Sequence, residues 1–123
     1  MTAASLIFVS LALVGGVAAA GVPPIACNMK AISATDRPHY DQLILKLRSA
    51  IRAAKELPDG YEYKLDTAKA PLPQIAEWIT LERLCCPFLS FSLDVSRDGQ
   101  SKLSLRGPEG TKAVLREDLP FGK

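Results

Sequence analysis

Past an apolar head, hydrophobic and polar positions along the chain follow two rhythms. From Tyr40 onward, Leu43, Ile44, Leu47, Ile51 and Ala54 recur at helical spacing, with Lys46, Arg48, Arg52 and Lys55 on the opposite face. Thr35-Asp36 can cap this segment, Pro38 suits its first turn, and Pro58-Asp59-Gly60 ends it. The pattern predicts one helix running up to that turn. Tyr61 to Asp66 then alternates strictly, as a half-buried strand does. A second helix is predicted after Pro71 and Pro73. Leu72, Ile75, Ala76 and Ile79 form one stripe of it, and Trp78, Leu81 and Cys85 a second. Pro87 stops this helix and biases Cys86 away from helical angles. Leu89, Phe91, Leu93 and Val95 alternate with polar residues, Asp98-Gly99 turns the chain, and Leu103 and Leu105 return. Gly107-Pro108-Glu109-Gly110 leads into a last short helix with Val114, Leu115 and Leu119 inward. Ile25 to Ile32, with β-branched ends, reads as a first strand. The resulting order is β-α-β-α-β-β-α. This is an α+β two-layer sandwich, with helices on one face of a small mixed or antiparallel sheet.

Charge divides the chain. Met1 to Met29 carries no charged side chain, and Lys30 is the first. The strongest apolar run is Leu6 to Val14, and Ala18-Ala19-Ala20 supplies small residues for a signal peptidase. Residues 1–20 therefore read as a cleaved signal peptide, although no Lys or Arg precedes the run. The competing reading is an uncleaved anchor over residues 2–22, long enough to span a bilayer. A lipoprotein with Cys27 as the lipid-bearing residue is disfavoured by Pro24, which stands where an aliphatic residue is expected. On these readings residues 21–123 form one small domain outside the cytoplasm, periplasmic or secreted, or held at a membrane. The net charge of +2 in 123 residues is too balanced for a nucleic-acid footprint.

The chemistry lies in three cysteines, Cys27, Cys85 and Cys86. An odd number leaves at least one thiol unpaired within the chain. Adjacent Cα atoms are about 3.8 Å apart, whereas ordinary disulfides need about 4.4–6.8 Å, so a Cys85–Cys86 bond is strained. The sharp reading is a thiolate site for a soft metal or metalloid: Zn(II), Cu(I), Hg(II) or As(III). Glu82 precedes the pair by three and four residues and shares its side of the helix, where it can act as a base or as a harder ligand. The candidate metal set is Cys27, Cys85, Cys86 and Glu82. The pair sits at a helix C-terminus, whose dipole raises a thiol's pKa. That favours capture of a cation over nucleophilic catalysis. The alternatives are a thiol enzyme, redox or organometal-processing, with Glu82 carrying protons, and a structural or interaction domain whose cysteines are simply buried. His39, the only histidine, reads as an exposed helix residue, and no phosphate-binding glycine loop is present.

The stretch Trp78 to Leu93 resembles a family of small, largely uncharacterised bacterial proteins with an E-R-x-C-C-P-F-x-x-F-x-L motif. Cys27-Asn28-Met29-Lys30-Ala31-Ile32 is similar to that family's opening C-(D/N)-(L/M)-x-A-(L/I), and Leu103 to Lys112 to its closing L-x-L-x-G-P-E-G-x-K. All three cysteines and Glu82 fall within these motifs. The resemblance implies that they matter together. It implies no established activity.

Overall fold

The computed structural model describes residues 25–121. The apolar head, on which the signal-peptide and anchor readings fall, lies outside them. Among the described residues no helix is long and apolar enough to cross a membrane. The elements are a short 3-10 turn (Met29–Ala31), α1 (Arg37–Ala50), β1 (Ile51–Leu57), β2 (Gly60–Leu65), α2 (Leu72–Cys85), β3 (Ser90–Val95), β4 (Ser101–Arg106) and α3 (Thr111–Asp118). The strands form one antiparallel sheet in the order β1-β2-β4-β3. The α+β class stands, and the sheet is antiparallel rather than mixed.

Two elements differ from the sequence pattern. Ile25 to Ile32 is not a strand. The Asn28 side chain accepts a hydrogen bond from the Lys30 amide and starts the 3-10 turn instead. The first helix stops at Ala50, and Ile51 to Leu57 becomes β1. Ile51 and Ala54 suit either a helical stripe or a strand. Pairing with β2 decides between them, since every β1 residue but Arg52 gains a partner across the Pro58-Asp59 turn. The element order is therefore α-β-β-α-β-β-α.

Register explains which face the helices cover. Tyr61 pairs with Leu105, Tyr63 with Leu103, and Phe91 and Leu93 pair with the same two leucines from the other side. These side chains line one face with Leu65. Glu62, Lys64, Lys102, Ser92 and Asp94 line the other, as the two-residue period of a strand requires. On the apolar face, Leu43, Leu47, Ile75, Trp78, Leu103, Leu105 and Leu115 are almost wholly buried in one core. Trp78 meets Phe91 edge to face, with ring centroids 6.1 Å apart. Gly60 is fixed by close approach. A Cβ there would lie 1.8 Å from the Leu105 carbonyl oxygen of β4.

Candidate functional site

α2 ends because Pro87 follows Cys86. The Cys86 amide still donates to the Glu82 carbonyl, at 2.8 Å, but its own φ and ψ have left the helix. This junction puts Glu82, Cys85 and Cys86 together inside the core. Glu82 is 1% exposed, and Cys85 and Cys86 are both 0% exposed. The N-terminal segment comes to them. Asn28 donates its amide hydrogen to the Cys85 carbonyl at 2.7 Å, and Ile32, itself fully buried, anchors the segment.

Cys27 and Cys86 form a disulfide with Cα atoms 4.6 Å apart, inside the ordinary range. Cys85 keeps a free, buried thiol, and its Sγ lies 3.6 Å from Cys86 Sγ. All three sulfurs therefore converge, and the adjacent pair is unbonded. Glu82 spans them. Its Oε1 is 3.2 Å from Cys86 Sγ and its Oε2 is 3.7 Å from Cys85 Sγ. Tyr40, from α1, donates its hydroxyl to Glu82 Oε2 at 2.6 Å. Asp118, at the end of α3, has Oδ2 at 3.5 Å from Cys27 Sγ. Single ligand atoms of Cys27, Glu82, Cys86 and Asp118 all lie within 4.8 Å of one another, a group able to hold a metal ion by position.

The electrostatics follow from burial. Loss of water raises the Glu82 carboxyl from 4.5 to about 7, against the hydrogen bond from Tyr40, which lowers it. A bonded Cys86 sulfur has no hydrogen to give, so its contact with Oε1 is a hydrogen bond only when Glu82 carries the proton there. Burial, and then the neighbouring Glu82 charge, push the Cys85 thiol up to about 12. Burial also holds the Tyr40 phenol well above its ordinary range. Asp118 is raised by burial, with the Arg48 guanidinium opposing. The cluster thus disfavours negative charge, and a cation shared among its groups would relieve that cost.

Spacing along the helix correctly places Glu82 beside both cysteines. Asp118 and Tyr40 are additions. Tyr40 reads in the sequence as one more apolar position of its helix. Asp118 leaves one faint signal, a carboxylate in the last turn of a helix, the unfavourable end of its dipole. His39 stays apart from the sulfurs. It is exposed and pairs with Glu77 of α2.

No family model matches the chain, and no curated protein or solved structure is found to be similar to it.

Proposed function

We propose that the protein binds a soft metal or metalloid ion through Cys27, Cys85 and Cys86 when its disulfide is reduced, with Glu82 or Asp118 available as a fourth, oxygen ligand. The convergence of all three sulfurs at one point carries this reading. Two thiolates on a shared tetrahedral zinc, with Zn–S bonds of about 2.3 Å, stand about 3.8 Å apart. Cys85 and Cys86 already stand 3.6 Å apart. Cys27 reaches a similar separation by moving less than about 2 Å once its bond to Cys86 opens. Three sulfurs alone suit a trigonal Hg(II) or As(III), while the added carboxylate suits Zn(II). In the oxidised form two of the three sulfurs are spent on each other, so the site is closed. An extracytoplasmic setting, as the apolar head suggests, accords with a disulfide of this kind.

The test is anaerobic titration of the reduced and oxidised proteins with Zn(II), Cu(I), Hg(II) and arsenite, read by native mass spectrometry. The reading expects one ion per chain after reduction and none before it. Equal uptake by the oxidised protein, or unchanged uptake by the C85S/C86S double variant, defeats it.

A second reading rests on the disulfide alone. It joins residues 59 apart in sequence and ties the N-terminal segment to the end of α2, which is the work of a structural staple. The thiol-enzyme alternative draws less support, because Cys85 is buried and its thiol is held protonated.

A further inference from the structure

We propose that the protein undergoes dithiol–disulfide exchange with an external dithiol, and that Cys27 Sγ is the sulfur attacked. The two halves of the bond differ in access. Cys86 is 0% exposed, enclosed by Glu82, Cys85 and the core. Cys27 is only partly buried, on a segment whose neighbours Ala26, Asn28, Met29 and Lys30 are exposed. An incoming sulfur meets Cys27 first. Charges of both signs lie near this segment. Lys30 is exposed on the adjoining turn, and Arg48 donates through Nε to the Asp118 carbonyl at 2.7 Å, beside the carboxyl that touches Cys27. Lys30 favours the approach of a thiolate, and Arg48 offsets the Asp118 carboxyl, which opposes that approach when ionised.

The exchange balances with the dithiol as the sole reductant. One thiolate of the reagent bonds to Cys27 Sγ, and the Cys27–Cys86 bond breaks with its electron pair on Cys86. The proton lost by that reagent thiol ends on Cys86. The second reagent thiol then attacks its own partner sulfur in the mixed disulfide, closes the reagent's disulfide and releases Cys27, which takes the second proton. Two electrons and two protons pass from reagent to protein.

The internal competitor is disfavoured by geometry. Attack of Cys85 on Cys86 would form a bond between adjacent residues, whose Cα atoms at about 3.8 Å are closer than the roughly 4.4 Å an ordinary disulfide needs. Exchange between Cys85 and Cys86 therefore does not open the disulfide, which is left to an outside partner. Cys27 does not drift away once freed, because Asn28 stays hydrogen-bonded to the Cys85 carbonyl and Ile32 stays in the core. As a gate for ion uptake, the exchange rests on the ion-binding reading above. As chemistry, it stands on the disulfide alone.

The test uses the oxidised wild-type protein at neutral pH. Reduced glutathione is added as a trapping monothiol, with an acid quench, alkylation of freed thiols and peptide mapping by mass spectrometry. The adduct is expected on Cys27, at least tenfold over Cys86 and Cys85, with alkylated thiols on Cys86 and on Cys85, which is free from the start. An adduct mainly on Cys86, or spread evenly over the two, overturns the proposal. So does reduction by dithiothreitol that proceeds only at the rate of global unfolding. Ion uptake is measured separately on the dithiothreitol-reduced protein, so its failure sinks the ion-binding reading while the adduct map decides this one.

Discussion

Replacing Glu82 by Gln removes one titrating proton from the core and leaves the volume almost unchanged. The carboxyl is raised from 4.5 to about 7, chiefly by burial. Below pH 4.5 Glu82 is protonated in both the folded and unfolded chain, and its contribution is complete. Between pH 4.5 and 7 the unfolded chain ionises while the folded protein holds its proton, so stability falls as pH rises. Above pH 7 both forms are ionised and the loss levels off. At about 1.4 kcal/mol per unit, the fall amounts to about 3 kcal/mol. E82Q lacks this loss. Urea unfolding of both oxidised proteins from pH 4 to 8.5 gives the difference in stability, in which the other titrating groups largely cancel. Relative to wild type, E82Q should gain about 3 kcal/mol across the interval, at no more than about 1.4 kcal/mol per pH unit. A flat difference would refute the reasoning, because the buried carboxyl would then not be holding its proton. A difference of opposite sign would mean that Glu82 is ionised and paired.

Four further expectations follow from the local geometry. Tyr40→Phe removes the hydroxyl that donates to Glu82 and should cost about 1–2 kcal/mol. It should also move the Glu82 transition in the same pH series upward, since that hydrogen bond lowers the carboxyl. Cys27→Ser opens a loop between residues 59 apart and should lower stability by about 4 kcal/mol on the chain-entropy account, read as a drop in urea midpoint. Gly60→Ala places a Cβ against the β4 backbone and should prevent cooperative unfolding from a native sheet, measured by circular dichroism. Gly99→Ala meets open space and has only its positive φ against it, so it should cost about 1–2 kcal/mol.

The sequence was legible where the chain is punctuated. Pro71 and Pro87 bracket α2, and Asp98-Gly99 marks the β3–β4 turn, so both elements fall where the pattern puts them. It was ambiguous at Ile51 to Leu57, where apolar residues at helical spacing also serve a strand and only the partner strand decides. Ile25 to Ile32 misled because its β-branched ends have no strand to pair with, while Asn28 caps a tight turn. At the site, Glu82 could be read from spacing within one helix. Asp118 and Tyr40 reach the sulfurs from other helices, and Cys27 from 59 residues away. Those meetings depend on how the helices pack, which local periodicity does not encode.

The strand order β1-β2-β4-β3 leaves β1 and β3 as the two rims of the sheet. An open rim is a template on which another chain can add a strand. β1 carries Arg52, Lys55 and Glu56 and shifts register between Ile51 and Ala53, while β3 alternates Ser90, Ser92 and Asp94 along its solvent face. Charge and irregular pairing of this kind resist the extension of one sheet into the next. Even at high concentration, copies of the domain are discouraged from zipping together edge to edge, and the polar rims favour solubility over fibre growth.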